Sequence, residues 1–122
     1  MNMIAKKFPT AALINGEWVN SAKSFSVTDP ATGAEIATVP DLGPKDAARA
    51  IDAAARALPA WSAKTAKERA TILKRWFDLV TAETENLAQL MTTEQGKPLA
   101  EARAEVAYGA SFIEWFAEEG KR

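Results

Sequence analysis

Between residues 11 and 40 the apolar positions come in short runs broken by turn residues, and from residue 43 onward they recur every three or four positions. The first pattern predicts strands and the second predicts helices. In "ALINGEWV" the pairs Leu13-Ile14 and Trp18-Val19 flank Asn15-Gly16, the dipeptide that best tolerates the positive φ angles of a two-residue type I′ turn. A second hairpin is predicted in "SFSVTDPATGAEIATVP". There Phe25 and Val27 alternate with Ser24, Ser26 and Thr28, Ile36 and Val39 lie on the returning strand, and Asp29-Pro30 and Gly33 supply the turn.

Gly43-Pro44 opens the helical region, because proline is accepted at a first helical position, where its missing N–H would have had no partner. Ala47, Ala50, Ile51, Ala54 and Leu58 form one stripe of an amphipathic helix expected to stop near Pro59. "TAKE" predicts the next start, with Thr65 capping and Glu68 reaching back, ahead of an apolar face of Ile72, Leu73, Trp76, Phe77 and Val80. Thr84 is expected to cap a third helix carrying Leu87, Leu90 and Met91, which Gly96 ends in the left-handed conformation.

Pro98 starts a fourth helix with two apolar faces. Leu99, Ala102, Val106, Ala110, Ile113 and Ala117 lie on one side, and Tyr108, Phe112, Trp115 and Phe116 on much of the other, so its second half reads as buried nearly all round. So few elements cannot cover both faces, and an exposed apolar patch is expected that something else must cover. The sequence therefore reads as the front part of a larger protein, with residues 1–10 an N-terminal extension and 11–122 an incomplete domain.

Composition narrows the chemistry. Fifteen Lys plus Arg against sixteen Asp plus Glu give a net charge of −1 without a block of either sign, which gives no footprint for nucleic acid or for an anionic membrane. No apolar run has the length of a secretory or membrane-spanning segment, so the chain reads as cytoplasmic. With neither Cys nor His there is no thiolate nucleophile, imidazole base or usual zinc site. The four tryptophans are spread over different elements and read as packing anchors. "EQGKP" lacks the second glycine of a phosphate loop and reads as a helix–helix junction. On these residues alone two further classes stand open: a helical interaction module, and an enzyme working through paired carboxylates.

In order and spacing, "INGEW", "TDPATGAEIATVP", "AIDAAARALPAWSAKTAKERATILKRWFDLV" and "LAQLMTTEQGKPLAEARAEV" resemble the N-terminal segment of the aldehyde dehydrogenases. The resemblance covers about residues 11–122, and "EQGKPLAEA" followed by "SFIEWFAEEGKR" looks like the bacterial succinate-semialdehyde dehydrogenase branch, with glutarate-semialdehyde dehydrogenases close by. It implies an α/β fold: two β-hairpins, then three to four α-helices that pack on a Rossmann-type cofactor domain absent from this chain. It also implies oxidation of an aldehyde to an acid with NADP or NAD. A cysteine attacks, hydride passes to the nicotinamide, and a glutamate activates water. Those residues, and the glycine-rich cofactor turn, belong to later sequence, so this chain alone is expected to hold no cofactor and to be inactive. Its implied partners are the remainder of its own polypeptide, a small aldehyde, and further copies in a homo-oligomer.

The resemblance also implies residue roles. The segment forms a wall of the substrate entrance, and on the fourth helix Glu101, Ala104, Glu105 and Tyr108 are the substrate-facing positions it suggests; their bland reading is a solvated face and a packed aromatic. Some family members hold a monovalent cation through two backbone carbonyls and an acidic side chain, at positions that fall here on Val27, Thr28 and Glu94, hard oxygen ligands suited to such an ion.

Overall fold

The computed structural model describes residues 8–122, and residues 1–7 of the expected N-terminal extension lie outside them. The chain divides into two compact units, one up to Pro59 and one from Ala60.

In the first unit, β1 (Ala12–Ile14) and β2 (Glu17–Val19) pair antiparallel, with Leu13 opposite Trp18. The turn is the predicted one: Asn15 and Gly16 take φ of 54° and 79°, the left-handed pair that a type I′ turn requires. β3 (Ser24–Thr28) and β4 (Glu35–Pro40) form the second hairpin, with Phe25 opposite Val39 and Val27 opposite Ala37. Thr28 pairs with Glu35, so Ile36 is an extra residue in β4, and this bulge carries the hairpin's buried isoleucine. The turn closes on Asp29: its N–H donates to the Ala34 carbonyl at 2.9 Å, its carbonyl accepts from Gly33 at 2.8 Å, and its carboxylate accepts from the Ala31 N–H at 2.8 Å.

Helix α1 (Pro44–Ser62) opens at Pro44 as expected but does not stop at Pro59. A proline deletes one rung of the hydrogen-bond ladder and crowds the carbonyl four residues back. With only three residues to follow, that loss does not end the helix. The predicted stripe is not a buried face either. Ala47, Ala50, Ile51, Ala54 and Leu58 are all exposed, Ile51 at 69%, and the buried residue of this helix is Ala53. The periodicity was right about which face is apolar, and nothing among the described residues covers it.

The second unit is helical. α2 (Ala66–Ala82) begins in a complete capping box. The Glu68 N–H donates to Thr65 Oγ1 at 3.3 Å, while the Thr65 N–H and hydroxyl donate to Glu68 Oε2 at 2.7 and 2.8 Å. α3 (Thr84–Gln95) follows, but Thr84 does not cap it. The cap position is Glu83, and the Thr84 hydroxyl donates back to the Thr81 carbonyl at 2.7 Å, because α2 runs almost directly into α3 and the hydroxyl finds that carbonyl first. Gly96 ends α3 with φ 73°, its N–H bonded to the Thr92 carbonyl. Pro98 then caps α4 (Leu99–Glu119).

Both α2 and α3 pack on α4. The face of α4 toward its neighbours is the predicted one, with Ala102, Val106, Ala110 and Ala117 buried and Leu99 and Ile113 partly so. Ala88 of α3 and Ala102 of α4 are fully buried, and with Val106 they nucleate a cluster that Val80, Leu87, Met91 and Leu99 complete. The second face of α4 is left uncovered among the described residues. Tyr108, Phe112, Trp115 and Phe116 are 47–66% exposed, which realises the expected uncovered patch. On α2, Ile72, Trp76 and Leu79 are likewise about half exposed.

Thr65→Ala in this chain is expected to lower stability by about 1 kcal/mol, the usual worth of such a cap, read from the urea midpoint at constant m. The bonds from Thr65 also hold the Glu68 carboxyl below its ordinary range. A carboxyl depressed in the folded state stabilises above its unfolded pKa, and that contribution fades as pH falls through the lower folded value. Glu68→Gln should therefore narrow the stability difference between pH 7 and the acid side of the carboxylate range. An identical slope in both proteins would show the box to be electrostatically idle.

Candidate functional site

The four positions that resemblance assigns to a substrate entrance lie together on α4, on the side away from its buried stripe. Glu101, Ala104, Glu105 and Tyr108 are spaced three and four residues apart, so their side chains line one face, and all are exposed. Tyr108, 66% exposed, continues into an aromatic strip. Its ring meets that of Phe112 edge to face, with centroids 4.8 Å apart and planes at 79°, and Trp115 and Phe116 follow one turn on. The surface is acidic toward the start of the helix and aromatic toward its end.

Ion pairs fix how α4 presents this face. The Arg103 guanidinium forks onto the Glu85 carboxylate of α3, with Nε and the terminal nitrogen 2.8 and 2.9 Å from its two oxygens. That bond, first among the causes, holds the Glu85 carboxyl below the usual carboxylate range, and the guanidinium in turn gains basicity. The Lys97 ammonium, in the junction between α3 and α4, pairs with Glu105. Farther along, Lys74 of α2 reaches Glu114 at 3.3 Å and Asp78 at 3.4 Å while its ammonium sits 4.0 Å from the Phe77 ring centroid. Each pair is exposed and individually weak. Their common effect is geometric, since two of them tie α4 to a different neighbouring helix.

None of this sequence-distant pairing was visible beforehand. Glu85 and Arg103 are eighteen positions apart on separate helices, and only same-helix spacings of three or four can be read from a sequence. Also unforeseen is an apolar groove where α2, α3 and α4 meet, lined by Trp76, Leu90, Met91, Val106, Gly109 and Ile113. Its signal, a glycine inside an apolar helix, stood in the sequence unused.

The residues suggested for a cation fall in separate units. Val27 and Thr28 belong to β3 in the first, and Glu94 to α3 in the second. Among the described residues no group of three acidic side chains could hold a metal ion. Nor do the residues present suit a dinucleotide. A pyrophosphate site of that kind needs a glycine-rich turn from a parallel strand into a helix N-terminus. Here β4 sits in a two-stranded antiparallel pair, and the N-terminal turn of α2 is already filled by its own capping box. The α4 face can form an aromatic and acidic wall against a small molecule. It contains no nucleophile paired with a base. No helix among the described residues is long and apolar enough to cross a membrane.

Comparison with known proteins adds the family. The chain is 60% identical over 117 residues to the NADP(+) succinate-semialdehyde dehydrogenase GabD of Escherichia coli, covering 94% of this chain and 24% of that protein. It is 58% identical over 120 residues to a glutarate-semialdehyde dehydrogenase of Pseudomonas putida, covering 97% and 25%. The crystal structure of succinate-semialdehyde dehydrogenase from Burkholderia pseudomallei superposes with a TM-score of 0.90 at 59% identity, covering 93% of this chain and 24% of that one. The chain thus spans about a quarter of the length of the curated relatives it matches. Residues 18–122 match the aldehyde dehydrogenase family, and with hairpins and helices laid out as in its solved structures, the chain belongs to that family.

Proposed function

We propose that this chain is the N-terminal quarter of an NAD(P)-dependent dehydrogenase that oxidises succinate semialdehyde to succinate. The observation that carries the reading is the 60% identity, maintained over almost the whole chain, to an enzyme of that name. Within the complete enzyme the segment supplies a packing wall and one side of the substrate entrance. Residues elsewhere in the polypeptide would supply the cysteine nucleophile and hold NADP or NAD, which would supply the hydride acceptor. Glu101, Ala104, Glu105 and Tyr108 line the approach, with Arg103 and Lys97 holding the helix in place. The cytoplasm is the compartment this reading assigns, where thiols stay reduced and a cysteine nucleophile is preserved. Glutarate semialdehyde is the second substrate to weigh, because the relative from Pseudomonas putida is almost equally similar.

The full-length enzyme assayed with succinate and glutarate semialdehydes, each with NADP and NAD, should show its highest kcat/KM with succinate semialdehyde and NADP. Preference for an aldehyde without a distal carboxylate would sink the reading. The 122-residue chain alone should reduce neither cofactor, since it has no cysteine to form the thiohemiacetal.

Two substitutions on α4 separate wall from entrance. Trp115→Ala in the full-length enzyme should cost about 3–5 kcal/mol of stability, as for large aromatic truncations in cores, and leave the KM values near their starting points. In the short chain, where Trp115 is 62% exposed, the same change should cost far less. Tyr108→Ala should raise the aldehyde KM roughly fivefold, the equivalent of about 1 kcal/mol of aromatic contact, with kcat retained. A raised KM for Trp115→Ala with unchanged thermal stability would reverse the assignment of the two residues.

A further inference from the structure

A second groove runs between α2 and the end of α4, and its charges do not balance within the chain. Its charged lining is Lys67, Lys74, Arg75 and Asp78 of α2, Glu118 of α4 and Lys121 just past it. The acids are engaged. Asp78 lies 3.4 Å from the Lys74 ammonium, which also reaches Glu114 of α4 at 3.3 Å, and Glu118 lies 2.6 Å from Lys121. Glu68, beside Lys67, is held in the capping box. Among the described residues Lys67 and Arg75 are left without an acidic partner. Lys67, Thr71 and Arg75 are spaced four residues apart, so they share one face of α2, with the two cations about 12 Å apart along its axis. A self-neutralised face would carry an acid at the middle position, within reach of the cation four residues away on either side. Here that position is a threonine, whose hydroxyl donates to the Lys67 carbonyl at 2.9 Å.

We propose that this groove is an anion site, in which Lys67 and Arg75 converge over Thr71 on the phosphate group of a small molecule. Two cations without counter-ions call for a ligand of matching charge. A phosphate group carries about −1.5 to −2 near neutral pH, and it offers one oxygen edge to the guanidinium fork and another to the lysine ammonium. The size of the groove sets the rest of the ligand. Its volume of about 860 Å³ falls within the range of small-molecule sites, so the body of a phosphate ester fits beside the phosphate. A nucleic acid would need the row of free cations to continue, whereas Lys74 and Lys121 are already paired and the net charge of the chain is −1. The site lies at the far end of α4 from Glu101 and Glu105, and it does not depend on which aldehyde the enzyme oxidises.

The test is calorimetric titration of the full-length enzyme with its nicotinamide cofactor saturating, so that any phosphate position serving the cofactor is already filled. Inorganic phosphate and glycerol phosphate are the probes, each set against sodium chloride at the same ionic strength. Both should bind, the ester more tightly because the groove has room for its body; inorganic phosphate binding as tightly keeps the site and makes the free anion its ligand. Lys67→Gln combined with Arg75→Gln, and separately Thr71→Glu, should each weaken binding roughly tenfold or more. Thr71→Glu is the decisive variant because it supplies the missing acid. It pairs the two cations from within the helix and should leave the Tm within about 2 °C of the parent, so that a loss of binding is not a loss of fold. Heat that sodium chloride reproduces overturns the proposal, since the cations then gather only a diffuse ion atmosphere. Binding that survives Thr71→Glu unchanged overturns it as well, because the phosphate then lies elsewhere. If Thr71→Glu melts well below the parent, the double Gln variant decides in its place, with weakened binding supporting the site and unchanged binding rejecting it. An enzyme that proves to prefer another aldehyde leaves each of these outcomes as it stands.

Discussion

The second unit depends on how closely α4 approaches the helices on either side of it. Ala88 and Ala102 are fully buried, and Ala110 and Ala117 nearly so. An alanine stripe lets backbones come near one another at almost no side-chain entropy cost. It contributes little apolar area per residue, so the larger groups around it, Val80, Leu87, Met91 and Leu99, have to supply the rest from partly buried positions. The position of α4 about its own axis is then set by small contacts within the seam and by charged pairs outside it, the Arg103 fork to α3 and the Lys74 bridge to α2. Everything on the outer face of α4 inherits its orientation from that arrangement.

Much of the local structure was legible because it rests on local chemistry. Asn15-Gly16 turns where it should because two positive φ angles are cheap there and dear almost anywhere else. Thr65 and Glu68 close a box over three residues, and Gly96 takes the left-handed conformation, so each boundary is decided within one turn of chain. Where the reading failed, the deciding partner lay just outside the window considered. Pro59 was expected to stop α1, but so near the end the loss of one rung is not decisive. Thr84 looked like a cap, but the end of α2 offered its hydroxyl a carbonyl first.

The candidate site was legible as a face and not as an assembly. Periodicity places Glu101, Ala104, Glu105 and Tyr108 on one side of α4, and they are found there. What holds that side in place, Glu85 to Arg103 above all, joins different helices and leaves no trace in spacing. The apolar stripes of α1 and α4 were legible as stripes, and α1's is exposed among the described residues. Apolar periodicity reports that a surface is destined for burial and is silent about which part of a polypeptide buries it.

The bare aromatic strip on α4 has a consequence for how such a protein is made. A ribosome adds ~5–20 residues per second, and in the relatives about three quarters of the chain lies outside the part matched here. In a protein of the relatives' length, Phe112, Trp115 and Phe116 would stand in water for as long as that synthesis takes, on a helix that is already able to form. Nascent segments with that exposure can meet one another on crowded polysomes before any later sequence reaches them. Rings so exposed are, in those seconds, surfaces for a chaperone to hold.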